Sequence, residues 1–206
     1  MPTLYCIIIC MGLDSHTSQE DEPKWEIGFA KAGDGAGIEE VRRQAWIETY
    51  PDPTVGLTLD DINSLPFGSQ EKLAKWEQSI EGQGEGKRIW VARENEKVVG
   101  FAVAERAPEK HELNAIYVLP THHGRGIGKA LMQSALAWLG NDRDAVVWVF
   151  SHNKDAIGFY RKNQFEESGE TSSLDINGKP IPDLEMIRKG QGFTETKSEG
   201  TPPAIF

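Results

Sequence analysis

Cysteine is nearly missing from this chain. The 206 residues hold only Cys6 and Cys10, both near the N-terminus. Their spacing makes neither a CxxC redox pair nor half of a zinc site, and no second pair exists to complete a disulfide framework. They read as free thiols in a reducing compartment. Long apolar runs are missing too. Leu4–Met11 is short, has no basic leader and gives way to Gly12-Leu13-Asp14-Ser15, which suits neither a signal peptide nor a membrane span. The expectation is a cytoplasmic protein with no membrane partner. A basic excess is the third absence: 22 Lys and Arg face 32 Asp and Glu, for a net charge of −10. Such a surface gives nothing with which to displace counterions from nucleic acid, so no nucleic-acid partner is expected. It is compatible with a cationic amine, although acidity most often serves solubility alone. Metal ligation is not expected either. His111, His122, His123 and His152 have no carboxylate or thiol at ligand spacing, and the adjacent pair cannot easily aim both rings at one ion from a turn. The six tryptophans lack interleaved basic residues and read as packing residues, not a base-stacking platform.

What is present suits one globular domain, with 38% hydrophobic and 26% charged residues. The polar, acidic stretch before Trp25 reads as a flexible leader over 1–24, and the Gly- and Pro-bearing end as a flexible tail over 190–206. Between them lies a domain over 25–189. Trp25–Ala30 is a plausible strand. Ile38–Tyr50 carries Ile38, Val41, Ala45 and Trp46 at helical spacing. Thr58 before Leu59-Asp60-Asp61 resembles a helix N-cap, and Ser69 with the Leu73, Trp76, Ile80 stripe a further helix. Arg88–Arg93 and Val98–Ala104 flank Glu94-Asn95-Glu96-Lys97 as a hairpin, followed by a strand at Leu113–Leu119. Ile127–Leu139 is helical, Ala145–Phe150 a buried strand, and Lys154–Asn163 a helix behind a good N-cap, Asn153. Leu174–Ile176, Asn177-Gly178 and Ile181–Ile187 form a closing hairpin. This order predicts an α/β fold: a mixed, mostly antiparallel sheet flanked by helices, with one helical crossover between parallel neighbours.

The residues that carry chemistry run from Glu112 to Leu131, where a strand enters a glycine-rich turn that opens a helix. Glycines let backbone amides point inward, and the helix N-terminus adds partial positive charge, so the turn suits a pyrophosphate. Two familiar phosphate motifs fail on spacing. A dinucleotide fingerprint begun at Gly124 and Gly126 needs glycine where Lys129 stands. A P-loop ending at Gly128-Lys129 needs glycine at His123 and Ser or Thr at Ala130.

His123-Gly124-Arg125-Gly126-Ile127-Gly128 resembles the Gln/Arg-x-x-Gly-x-Gly/Ala signature of the GCN5-related N-acetyltransferases (GNAT), with His123 where Gln or Arg is usual. A second stretch, Asn153 through Phe165, is similar to that family's N-x-x-A-x-x-x-Y-x-x-x-G-F element, with Gln164 in place of Gly. Val99-Gly100-Phe101 and Ala45–Tyr50 resemble its third strand and first helix more loosely. The resemblance implies a single GNAT-like domain with acyl-CoA in the cleft between the two central parallel strands, Leu113–Leu119 and Ala145–Phe150. It implies transfer of an acetyl group from acetyl-CoA, the acyl donor, to a primary amine within a ternary complex. A small-molecule or polyamine-like acceptor is the first reading. A protein or peptide acceptor is an alternative, as is an acyl-CoA-binding module without catalysis.

By the same resemblance, residues 123–128 (His123, Gly124, Arg125, Gly126, Ile127, Gly128) would cradle the pyrophosphate, with Lys129 next to them also binding the cofactor. The backbone of Ile116, Tyr117 and Val118 would pair with the pantetheine amides. Tyr160 falls on the family tyrosine that protonates the coenzyme A sulfur; packing is its other reading. Asn153 matches an asparagine at the pantetheine arm, with helix capping as the alternative. Glu112 stands where some members place a base acting through water, and a plain surface carboxylate competes. Members that modify ribosomal-protein N-termini carry glutamate where Trp148 stands, which lowers that assignment. The acceptor surface falls in 38–80 and 171–184, where acidic Asp60, Asp61, Asp175 and Asp183 favour a cationic amine; a homodimer is allowed.

Overall fold

The computed structural model describes residues 24–192. All of the expected leader but Lys24, most of the expected tail, and Cys6 and Cys10 lie outside the described residues.

The elements follow the expected alternation. Strand β1 (Trp25–Phe29) precedes helix α1 (Gly35–Thr49), α2 (Leu59–Asn63) and α3 (Gln70–Glu81). The hairpin β2 (Lys87–Glu94) and β3 (Lys97–Glu105) leads into β4 (His111–Val118), α4 (Ile127–Leu139), β5 (Ala145–Phe150) and α5 (Lys154–Lys162). The hairpin β6 (Glu166–Ile176) and β7 (Lys179–Arg188) completes a seven-stranded sheet in the order β1-β2-β3-β4-β5-β7-β6. Among the described residues only β4 and β5 pair in parallel. This is the mixed, mostly antiparallel α/β sheet that the pattern implied.

Local chemistry explains the boundaries. Thr58 and Asp61 form a reciprocal capping box at α2, and Ser69 accepts from the Lys72 N–H at α3. Asn95 and Glu96 take positive φ of 49° and 66°, which closes the β2–β3 hairpin with the twist its strands need. Helix α1 starts three residues before the expected Ile38 because its N-terminus is capped from outside. The Glu77 carboxylate of α3 accepts from the Gly33 and Gly35 N–H groups, each at 3.0 Å. A Cβ on Gly35 would lie 2.5 Å from that carboxylate. Strand β6 also starts earlier than expected, at Glu166. Its first eight residues are exposed and polar, and as an edge strand it needs only β7 for a partner.

Helices cover both faces. Leu131, Met132, Ala135 and Leu139 of α4 pack on Ala102, Ala104, Leu113 and Val147. On the other face Ile38, Val41 and Ile80 of α1 and α3 cover Ile89, Val91, Phe101 and Val103. A third cluster joins Trp46 and Tyr50 at the end of α1 to Phe150, Ile176 and Ile181. One buried ion pair, Arg93 with Asp34, ties β2 to the start of α1. Both residues are under a tenth exposed, so breaking the pair leaves a cation in a dry site. Asp34→Ala is therefore expected to destabilise the fold by about 3–5 kcal/mol in urea melts, and Asp34→Ala with Arg93→Met by less.

Candidate active site

The site arises where the sheet splits. Strands β4 and β5 share only two rungs, His111 with Ala145 and Glu112 with Val146. Beyond Glu112 they part, helped by a bulge: Leu113 pairs with Ala104 and Ala115 with Val103, leaving Asn114 without a rung. From there β4 turns a row of N–H and C=O groups toward β5 with no strand partner among the described residues. A cavity of about 570 Å³ fills the wedge, lined by residues 114–118 of β4 and 147–150 of β5 and running from helix α1 to the N-termini of α4 and α5.

At the α4 end lies the glycine-rich turn. Gly124 and Gly126 adopt φ of 75° and 83°, a region costly to residues with a Cβ. Gly126 caps α4 without any side-chain bond, and no acidic residue occupies the first turn. The N–H groups of Ile127, Gly128 and Lys129 precede the first intrahelical acceptor bond, Ala130 N–H to Gly126 O at 3.0 Å. All three residues line the cavity with His123, Gly124 and Gly126. The open amides and helix dipole are the donor set a pyrophosphate needs.

Two expected residues lie off the cavity wall. Arg125 turns outward and pairs with Glu94 of β2, which also holds the His122 ring at 3.0 Å. Glu112 sits on the last closed rung, opposite Glu105 and Val146. The wedge has not yet opened there, so Glu112 could reach an acceptor only through water. His123 has a local partner: its Nε2 lies 3.0 Å from the Val118 carbonyl, so the ring secures the end of β4.

The remaining expected residues come together. Ile116, Tyr117, Val118, Asn153 and Tyr160 all line the wedge. The Asn153 side-chain oxygen accepts from the Ala156 N–H at 3.0 Å, so it does cap α5, and its amide nitrogen stays on offer to the cavity. Tyr160 is held edge-on between Phe159 and Phe165, 6% exposed. Burial, and then the nearby Tyr117, push its phenol well above the ordinary value. It is therefore a protonated donor at every physiological pH.

The α1 side of the wedge was the less legible half. The Tyr117 hydroxyl accepts from Trp46 Nε1 at 3.1 Å and lies 3.3 Å from the Tyr50 hydroxyl. Phe150 packs edge-on against Trp46 and Tyr50, at 6.1 and 4.9 Å between ring centroids. Trp148 and Leu174, 40% and 45% exposed, also belong to the wall. Two signals in the sequence pointed here, the aromatic face of α1 and the alternation of Trp148 and Phe150 along β5. The chamber is aromatic, and Asp183 of β7 enters it from the side. Among the described residues no cluster of His, Cys, Asp or Glu could hold a metal ion. None of their helices is long and apolar enough to cross a membrane.

A strand split open beside an amide-lined helix N-terminus defines a class, and comparison with known proteins gives the family. Residues 39–165 match the Acetyltransferase (GNAT) family, and the chain belongs to it. An uncharacterised N-acetyltransferase of Mycobacterium tuberculosis is 33% identical over 104 residues, 49% of this chain and 66% of the relative. A peptidyl-lysine N-acetyltransferase of Escherichia coli, YjaB, is 31% identical over 103 residues, 50% of this chain and 65% of the relative. The chain thus spans just under two thirds of the length of these two relatives. In fold it is similar to the PaiA N-acetyltransferase of Thermoplasma acidophilum, solved with coenzyme A. The TM-score is 0.64 at 22% identity, over 80% of this chain and 98% of that one.

Proposed function

We infer that this protein transfers an acetyl group from acetyl-CoA to a primary amine. The observation that carries the reading is that one continuous wedge joins three parts: an amide-lined anion cradle in the turn before α4, the Ile116–Val118 stretch of β4 with no partner strand on the β5 side, and a buried, protonated Tyr160. Acetyl-CoA brings the activated acyl group; the protein supplies orientation and proton handling. The pyrophosphate lies on the amides of 126–129, and the pantetheine runs along β4 with the Asn153 amide beside it. The acceptor approaches from the α1 side. Its neutral nitrogen attacks the thioester carbon, the C–S bond breaks, and the departing thiolate takes the Tyr160 proton. The nitrogen sheds its extra proton through water, which restores the phenol.

A second reading, a lysine side chain in a protein as acceptor, is favoured by the name of the YjaB relatives and by the exposed apolar lip of Trp148 and Leu174. Purified protein with acetyl-CoA and an amine panel tests the function. The expected result is free thiol released in step with acetylated amine. Thiol release that is independent of every amine and lysine peptide would contradict it.

A further inference from the structure

We propose that Asp183 is the seat of the acceptor's ammonium group, and that the acceptor is a primary amine on an apolar alkyl or aryl stem with no carboxylate beside the nitrogen. The proposal rests on the acetyltransferase reading of the same wedge. Asp183 stands opposite Phe150 of β5 and Ser172 of β6, and directly paired residues share a face of the sheet. It therefore faces the α1 side, beside the rings of Trp46, Tyr50 and Phe150. Its Oδ1 is buried and has no hydrogen-bond partner among the described residues. A buried carboxylate oxygen without a donor is costly, and such groups mark places where something else supplies the donor.

Of the other acidic residues of the region, Asp60 is exposed on α2 and the others are paired. Asp61 accepts from Thr58 and Lys179. Asp175 accepts from the Gly178 N–H in the hairpin turn. Glu185, two residues along β7 on the same face, is 3% exposed and paired with Lys110. Asp183 alone of these lines the cavity. Asp183 as a whole is half-buried, and burial holds its carboxyl above the usual carboxylate range against the pull of the backbone N–H groups of Asp183 and Ser172, neither of which reaches Oδ1.

The same surroundings reject an anion next to the amine. The other charged liners, Lys129 and Asp155, belong to α4 and α5, which pack on the opposite face of the sheet. On α1, Arg42 lies over the Trp46 and Phe67 rings at 5.5 and 5.2 Å and pairs with Glu39. An α-carboxylate would meet Asp183, and among the described residues no Lys or Arg lines the α1 side of the cavity to offset it. The aromatic walls suit an apolar stem and add cation–π attraction for the ammonium.

Calorimetry with coenzyme A bound tests this without requiring turnover. Phenethylamine should bind wild type, and Asp183→Asn should weaken it about 10- to 100-fold. Phenylalanine, which differs by the α-carboxylate, should bind wild type at least about tenfold more weakly. Coenzyme A affinity should not change, and the melting temperature should not fall, because the substitution removes an unpaired charge. Equal affinity in the variant, phenylalanine binding as well as phenethylamine, or no binding of phenethylamine to wild type would each overturn the proposal. Acetyl transfer separates the two claims. Binding at Asp183 without transfer to any amine would count against the acetyltransferase and leave the site. Transfer that is undiminished in Asp183→Asn would sink the site and leave the acetyltransferase.

Discussion

Tyr160→Phe is expected to lower the single-turnover rate of acetyl transfer about 100- to 10,000-fold while leaving acetyl-CoA affinity unchanged. The substitution removes one oxygen and keeps the ring between Phe159 and Phe165, so packing is preserved. A phenol that protonates the departing thiolate acts in the transition state, and its loss falls on the rate and not on binding. The alkaline limb of the rate should not report Tyr160, because burial keeps its proton in place well beyond the ordinary phenol range. An unchanged rate would reassign Tyr160 to the core and leave sulfur protonation to water. Tight acetyl-CoA binding by wild type with transfer to no acceptor would favour the non-catalytic module.

Gly126→Asp is expected to raise the dissociation constant for coenzyme A by about 100-fold or more, at or beyond the limit of calorimetry. A Cβ at this position would meet only the Trp25 ring, at 3.8 Å, so the fold has room for it. The positive φ of 83° adds strain of about 1–3 kcal/mol, and Asp is among the residues that bear it best. What changes is the anion cradle, where a fixed carboxylate now faces the pyrophosphate across the α4 N-terminus. Gly126→Asn, of the same shape without the charge, should fall between wild type and Gly126→Asp. A folded Gly126→Asp that binds coenzyme A normally would remove the pyrophosphate from residues 123–129.

The legible half of this protein is the half in which backbone geometry sets the residue type. Gly124, Gly126 and the Ile127–Leu139 stripe could be read because a positive φ and a helix face leave few alternatives. Asn95-Glu96 and Asn177-Gly178 marked their turns for the same reason. Side-chain direction was harder. The family resemblance implied Arg125 in the cradle, but Glu94, 31 residues away in sequence, draws it outward. Glu112 could be placed at the start of β4, whereas the rung at which β4 leaves β5 depends on a bulge at Asn114 that no local pattern announces. The polar start of β6 gave no strand signal because an edge strand needs no apolar alternation. The acceptor chamber draws on α1, β5 and β7, so only the folded sheet brings Trp46, Phe150 and Asp183 to one place.

The most direct test of the central claim is a crystal structure with coenzyme A bound. The pyrophosphate oxygens are expected within hydrogen-bond reach of the 126–129 amides, about 2.7–3.2 Å. The pantetheine is expected along Ile116–Val118 in the split between β4 and β5, and the sulfur next to the Tyr160 hydroxyl. Coenzyme A bound outside the wedge, or with its sulfur remote from Tyr160, would contradict that claim.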